Sequence, residues 1–586
     1  MGNFVNRLLQ IKELALIPLN PNTVWSADAS THPHPPAKIQ LRGLSVPQKI
    51  VVLITGKLHN NALEILQNPP ASLKLAIPME IVYRPDCSRD ELMALVPQCH
   101  VLISRSETDV DAEVIRAAPH LSILARAAVG YGNIDLETAT ESGILVVNTP
   151  GKNTNSAAEL TFALLLACIR NLPHAHTSTQ AGHWNRHKFT GRELLHRSIG
   201  IVGLGNVGHR VAKFAKGFDM QVLGFDPYIS EEVFRRHGVQ RFDSIEKMIA
   251  KCDILTVHTP LNKETKGMIG AKQLSLLKPG AIVLNAARGG IIDEKSILEA
   301  LESNHISSAG IDTWVNEPNL FSELRNHPNV ICSPHIGAST MEAQERIGEA
   351  VATQVLKALR QEVVDYPVNL PHVSLLTSNK SRNLAVLAEK LASVASQICE
   401  FNPSQLSLKL SPDIPESDSG LLRLCAIKGF VASSSDEYVS YVNAERILAK
   451  RGIQMEVELS KEGDVVRSGM VLEVLGARSE ETCKVGAVLY NQDLMRLCLI
   501  NDFLFEIEPN GEMLLILNHD QPGVIGAVGS FLANQNINIA QFELSRNRMG
   551  GQAISLVKVD VPLEQEQIAG LEVLPHVIRV KMIRGL

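Results

Sequence analysis

Arg288, Glu317 and His335 each stand just beyond a short apolar run, in NAARGGIID (285–293), DTWVNEP (312–318) and SPHIGAST (333–340). Histidine is the residue type suited to taking a proton near neutral pH. A glutamate paired with it would favour the imidazolium and raise its pKa, because an opposite charge stabilises the charged form. An arginine would clamp a carboxylate and polarise a carbonyl oxygen. These are the groups that hydride transfer from a 2-hydroxy acid requires beside a nicotinamide. Each alone also reads as an ordinary loop residue. All three at the ends of successive parallel strands, where such sheets bind ligands, argue against coincidence.

A nucleotide motif lies upstream. In IGIVGLGNVGHRVAKFA (199–215), Gly203, Gly205 and Gly208 form G-x-G-x-x-G after an apolar run and at the start of a helical one. Gly203 permits the tight turn, Gly205 lets a pyrophosphate approach, and Gly208 lets helix and strand pack closely. The phosphates would sit at the positive end of the helix starting near Asn206 and Val207. Glycine turns also occur for packing alone, but Asp226 ends the next strand, some twenty residues on. A carboxylate there accepts from the ribose hydroxyls and repels a 2′-phosphate, which selects NAD over NADP.

The elements that must carry these residues alternate between strand and helix. Apolar runs at 50–54, 80–83, 100–103, 122–125 and 144–148 form one series. Runs at 199–202, 221–225, 254–257, 281–285, 308–311 and 330–333 form a second. Such alternation predicts parallel sheets with crossover helices, hence two doubly wound α/β halves with a cleft between them. Beyond residue 375, a helix near 381–400 leads into a mixed α/β region running to about 508. Residues 512–586 then read β-α-β-β-α-β.

Composition narrows the classes. At about 150 residues per domain the chain holds three or four domains. Its 56 Lys and Arg against 62 Asp and Glu give a net charge of −6, with no basic face to suggest nucleic acid. The most apolar stretch, Leu160 to Ile169, falls short of the ~20 residues that span a bilayer. Nine cysteines, none in a CxxC pair, offer neither a zinc site nor a disulfide framework, so no metal is expected and a reducing cytoplasm is the simplest compartment. Residues 1–47 differ from the rest. Lys12 and Glu13 interrupt the apolar run a signal peptide needs, and Asn6 lacks the hydroxyl of a myristoylation site. A non-catalytic extension is preferred there over an organellar presequence.

GLGNVG with Asp226, NAARGGIID, DTWVNEP and SPHIGAST, in this order, resemble the D-isomer-specific 2-hydroxyacid dehydrogenases, from about Lys49 to the C-terminus. The resemblance implies that Arg288, Glu317 and His335 are catalytic. It places Thr259, Ala286, Ala287, Asp312, Gly337 and Ala338 beside NAD, with Asp312 on the carboxamide. It also implies a Rossmann-type NAD-binding domain, 148–334, inserted in a flavodoxin-like substrate domain formed by 48–147 and 335–374. The helix from about Thr340 to Leu359 would thereby return to the first half.

A phosphorylated substrate needs cations away from the reacting carbon. Arg105 follows VLIS, Arg126 follows ILA, and Arg186 lies in GHWNRHKF. Each can bind phosphate through a bidentate fork, though each alone reads as a surface ion pair. The loop AAVGYGNID (127–135) resembles the family's carboxylate loop, with Val129 and Gly130 as donors. It departs from the commonest form at Tyr131 and Gly132, and NTPGKNTNSAAE (148–159) departs at Lys152, all expected near the cleft. The implied substrate is 3-phospho-D-glycerate, oxidised to 3-phosphooxypyruvate in the first step of serine biosynthesis, with 2-oxoglutarate reduction as a side activity. Rival readings are a glyoxylate or hydroxypyruvate reductase, and an NAD-sensing binding protein.

Residues 512–586 resemble an ACT domain. In that likeness Asn518, Asp520, Gly523 and Asn538 bind L-serine between paired domains, the alternative being a purely dimerising module. Residues 375–508, through EYVSYVNA (437–444) and YNQDLMR (490–496), resemble the additional substrate-binding domain of long family members. A homotetramer, with no membrane or nucleic-acid partner, is the implied assembly.

Overall fold

The strands Ile50–Thr55, Met79–Arg84, Val101–Ser104, Ile123–Arg126 and Leu145–Val147 pair in the order 2-1-3-4-5, every pair parallel. Three of them are apolar almost throughout and buried on both faces, as a sheet covered by helices on either side demands. This order and its switch point are those of a flavodoxin-like sheet. The computed structural model describes residues 48–319, 323–360, 364–370, 378–435, 437–460, 468–478 and 480–585. The expectations for residues 1–47 and for the junction at 374–375 lie outside them.

A second parallel sheet follows, from Ser198–Val202, Gln221–Phe225, Gln240–Arg241, Ile254–Val257, Ala281–Asn285, Ile306–Ile311 and Val330–Cys332. Counted in chain order its strands run 7-6-5-4-1-2-3, so the order reverses between Ser198–Val202 and Ile254–Val257, where a Rossmann sheet opens its ligand crevice. The two-residue strand Gln240–Arg241 is the one the apolar pattern missed, since it carries no apolar residue. The chain then recrosses. Helix Met341–Leu359 buries Ile347, Val351, Val355 and Leu359 in one core with Ile50, Val52 and Ile103 of the first sheet and Ala62 and Leu66 of helix Asn60–Gln67.

The third sheet takes Pro403–Leu410, Gln454–Leu459, Gly469–Gly476, Thr482–Tyr490, Leu494–Ile500 and Phe503–Ile507 in the order 2-1-3-4-5-6, its first pair parallel and the rest antiparallel. Helices Asn379–Ile398 and Ser419–Ala432 pack on it. They cross so closely at Gly429 that an added Cβ would lie 2.0 Å from the Glu389 carbonyl oxygen. Beside this crossing, Glu389 accepts from Lys428 Nζ (2.7 Å) and Tyr441 Oη (2.5 Å). The last sheet, Glu512–His519, Ile539–Arg546, Gln552–Val559 and Val577–Ile583, is antiparallel in the order 2-3-1-4, with helices Val524–Asn534 and Gln565–Glu572 supplying the two crossovers of a βαββαβ unit. Its inner residues Met513, Ile554, Leu556 and Ile583 join the core of the third sheet. Among the described residues no helix is long and apolar enough to cross a membrane, and the nine cysteines are free.

Overpacking a close helix crossing costs about 1–3 kcal/mol. Gly429→Ala is therefore expected to lower the melting transition of the third and fourth sheets by calorimetry while that of the two parallel sheets, whose cores are separate, stays in place. An equal shift of both transitions would refute that separation.

Candidate active site

At the crevice, Gly203 has φ 89° and donates its N–H to Phe225 O (2.9 Å). A Cβ there would come within 2.7 Å of both His258 O and Thr259 Cγ2. At Gly208 it would lie 2.0 Å from Gly203 O, so helix Asn206–Gly217 reaches the strand only because that position is glycine. Gly205, the helix's N-cap, differs: an added Cβ would meet nothing within 4 Å. The backbone there stands open to a phosphate, and the first-turn N–H groups of Asn206 and Val207 lack helical acceptors. Asp226 is fixed beside the turn, Oδ2 accepting from Leu204 N–H (2.9 Å) and Oδ1 from Tyr228 N–H (3.0 Å). Thr259 Oγ1 is buried with no partner, as a hydroxyl reserved for a ligand would be. An open cradle, a carboxylate at ribose distance in sequence and an orphaned hydroxyl fit a dinucleotide.

Across the sheet, Asn285 shapes the next turn, its Oδ1 accepting from Ala287 N–H (3.2 Å) and its Nδ2 donating to Arg288 O (2.9 Å). Arg288 donates from Nη1 to Ala287 O (2.6 Å), and its Nη2 lies 2.9 Å from where a Cβ on Gly130 would stand. The guanidinium thus spans from the second sheet to the loop that follows strand Ile123–Arg126 of the first. Burial pulls its pKa down, against the support of Glu317.

Glu317 holds His335 Nδ1 at 2.6 Å through Oε2 and accepts Trp314 N–H at 2.7 Å through Oε1. Burial pushes this carboxyl up, but the bonds from His335 and Trp314, with the charges of His335 and Arg288, outweigh it and leave the group below its ordinary range. It is an anion at neutral pH. His335 keeps Nε2 for the cleft and sits at φ 54° with its N–H on Asp312 O (2.8 Å). Asp312, fully buried, accepts from Ser333 Oγ (2.6 Å), Ile336 N–H (2.9 Å) and Gly337 N–H (3.0 Å). Its carboxylate thus holds the turn bearing His335, a positioning task that the resemblance, which put it on the carboxamide, did not suggest. Ala338 closes this turn, its carbonyl accepting from Thr340 N–H (3.0 Å).

On the first sheet, Arg126 is only 4% exposed. It donates from Nε to Gly130 O (2.9 Å), Nη1 finds no partner, and burial lowers its pKa to about 10. Arg105 and Arg288 are close enough to lower it further, Glu107 and Asp109 to raise it. Asn148 Nδ2 fixes Val129 O (2.8 Å), while the Val129 and Gly130 N–H groups donate to nothing among the described residues. Asn133, which sequence reasoning passed over, pins the 105–108 turn by donating to Arg105 O (3.4 Å) and Thr108 O (2.5 Å). Its only signal was an amide inside a glycine-rich loop.

Some expected site residues do not converge. Arg186 lies on the exposed turn Arg186–Phe189, where no hydrogen bond or ion pair ties it to the other arginines among the described residues; the segment before its strand runs over the surface. Lys152 turns its ammonium over the Tyr366 ring (5.8 Å), and Tyr131 is 40% exposed. In the last domain, Asn518 pairs with Ala553, which pairs with Arg546. Asn538 instead precedes Ile539, which pairs with Val559, and Val559 pairs with Glu512. Parallel placement of the first two strands thus leaves Asn538 some six residues, about 20 Å, from Asn518. Within one domain it does not face the loop of Asp520 and Gly523, which corrects the sequence expectation. Asn518 Oδ1 is buried without a partner, and Asp520 is engaged by Arg546 (3.2 Å) and Gly550 N–H (3.0 Å).

Comparison with known proteins gives this geometry a family. Residues 162–337 match the D-isomer specific 2-hydroxyacid dehydrogenase NAD binding domain, and residues 382–501 the D-3-phosphoglycerate dehydrogenase intervening domain. The chain is 34% identical over 535 residues to D-3-phosphoglycerate dehydrogenase of Methanocaldococcus jannaschii, covering 91% of this chain and 99% of that one. It belongs to the D-3-phosphoglycerate dehydrogenase family. The Bacillus subtilis member is 35% identical over 482 residues, covering 82% of this chain and 91% of that one. A solved structure of an NAD-binding D-isomer specific 2-hydroxyacid dehydrogenase from Polaromonas matches at TM-score 0.50 and 25% identity, over 54% of this chain and 99% of that one. Like its family, the chain is an NAD-dependent oxidoreductase.

Two predictions follow from the dehydrogenase site. Glu317→Gln keeps a hydrogen bond to His335 but removes the anion, and is expected to cut kcat about 10²-fold or more with KM little changed in steady-state assays. Burial pushes the His258 imidazole, beside the Gly203 turn, down to about 4. A folded pKa below the unfolded value of about 6.5 means that stability present above it is lost as pH falls from about 6.5 to about 4. Wild type should lose about 2 kcal/mol more than His258→Gln between about pH 7.5 and about pH 5 in denaturant titrations. Equal losses would place the acid sensitivity elsewhere.

Proposed function

We propose that this chain is the NAD-dependent dehydrogenase of 3-phospho-D-glycerate, forming 3-phosphooxypyruvate. The observation that carries this reading is the group of three arginines at the cleft, in which Arg105 and Arg288 lie near enough to act on the charge of the buried Arg126, and Arg105 and Arg126 each keep a buried N–H without a partner. Cations held out of water with unpaired N–H groups call for anions. A substrate with a carboxylate at one end and a phosphate at the other supplies two.

In this reading Gly205, Asn206 and Val207 hold the pyrophosphate, Asp226 the ribose and Thr259 the nicotinamide half. NAD supplies the hydride acceptor. The Val129 and Gly130 amides bind the substrate carboxylate, and Arg288, lying against Gly130, binds the carboxylate and the C2 oxygen together. His335 Nε2 takes the hydroxyl proton as that oxygen becomes a carbonyl. Glu317 stabilises the imidazolium that results and holds the ring in the one orientation that points Nε2 inward. Arg105 and Arg126 take the phosphate.

The C-terminal domain is read as an ACT module whose effector is L-serine. With Asn538 remote from Asn518 and Asp520 in one copy, the serine site would form between two copies, consistent with a homo-oligomer.

The test is steady-state reduction of 3-phosphooxypyruvate, with NADH and NADPH compared and millimolar L-serine added. Rapid turnover preferring NADH and suppressed by serine is the expected result. Turnover indifferent to serine would reduce the last domain to assembly. A strong preference for glyoxylate or hydroxypyruvate would overturn the substrate.

A further inference from the structure

We infer that Gln344 sets the preference for a phosphorylated substrate by presenting Arg105 to it. The inference rests on the reading above, in which Arg105 meets the phosphate. The stem of Arg105 lies on Gly56, where an added Cβ would come within 2.8 Å of Arg105 Cβ. Its Nη1 donates to Lys57 O (2.9 Å) and to Gln344 Oε1 (2.6 Å), so both holding contacts fall on one nitrogen. Nε is buried with no partner. The edge formed by Nε and Nη2 is the one that makes paired bonds to an oxyanion. Gln344 therefore orients the guanidinium by its far side and leaves the binding edge free.

The residue type matters. A neutral amide fixes the guanidinium without neutralising it, whereas a carboxylate at this position would form an ion pair and compete with phosphate. The same amide donates from Nε2 to Ala338 O (2.8 Å), three residues beyond His335. Gln344 thus ties the phosphate-side arginine of the first sheet to the turn that carries the proton-transfer histidine. It is a positioning residue and touches no reacting atom.

Gln344→Met removes both hydrogen bonds at similar length. Gln344→Glu keeps the acceptor for Arg105, loses the donor and adds charge. Both are assayed with NADH on 3-phosphooxypyruvate and on hydroxypyruvate, which lacks the phosphate, with thermal melting alongside. The ratio of the two kcat/KM values should fall about ten-fold in Gln344→Met, through the KM of the phosphorylated substrate, and at least as far in Gln344→Glu. If Gln344→Met does not fold, the ratio in Gln344→Glu decides. Parallel loss on both substrates, a fall in kcat alone, or an unchanged ratio overturns the inference. A wild type indifferent to the phosphate overturns the functional reading, and this inference with it.

Discussion

The cleft is organised around positive charge kept out of water. Removing a cation from solvent costs several kcal/mol unless partners replace the lost hydration. Arg126 has one backbone acceptor and an unpaired Nη1, and its neighbours include two more guanidiniums. Glu107, Asp109 and Glu317 oppose them. The sheets must hold this arrangement against its own repulsion, and an anionic substrate relieves it on binding. Affinity and specificity therefore have the same origin.

That arrangement depends on two sheets with separate cores keeping their register. Arg105 and Arg126 come from the first, Arg288, Glu317 and His335 from the second. The bridge is the recrossing chain. Gln354 donates to Asn148 O (2.6 Å) and accepts Tyr366 N–H (3.0 Å), while Ser156 meets Thr340 at 2.8 Å. All of these are polar contacts at the seam, and Gln354 is nearly fully buried, where an unmade hydrogen bond costs most.

Periodicity and glycine spacing made both parallel sheets readable, because fully buried strands are long apolar runs and the dinucleotide turn needs glycine at fixed offsets. The pairing of Glu317 with His335 was readable from residue type. Contacts spanning some 200 residues were not. Nothing local marks Gln344 as the partner of Arg105, and the task of Asp312 emerges only once its carboxylate meets the 333–337 turn. Asn538 was misplaced for a related reason. A strand's end is set by which neighbour it pairs with, and sequence order alone does not say that the first two strands of the last domain run parallel with a third between them.

The third and fourth sheets pack together through Met513, Ile554, Leu556 and Ile583, while the fourth keeps a further core with its own helices around Leu514, Val528 and Val557. Their described contact with the substrate domain is polar: Ser440 Oγ donates to Gly143 O (2.9 Å), and Arg446 pairs with Glu141 (2.5 Å) and Glu137 (3.4 Å). Exposed ion pairs of this kind contribute at most about 1 kcal/mol. Glu137 and Glu141 lie on helix Leu136–Glu141, whose N-cap Asp135 ends the 127–135 loop. The weak junction of the molecule thus lies one helix away from the Val129 and Gly130 amides, while the strong junction lies far from them. A displacement of the C-terminal body would be taken up at this polar contact, one helix from the 127–135 loop.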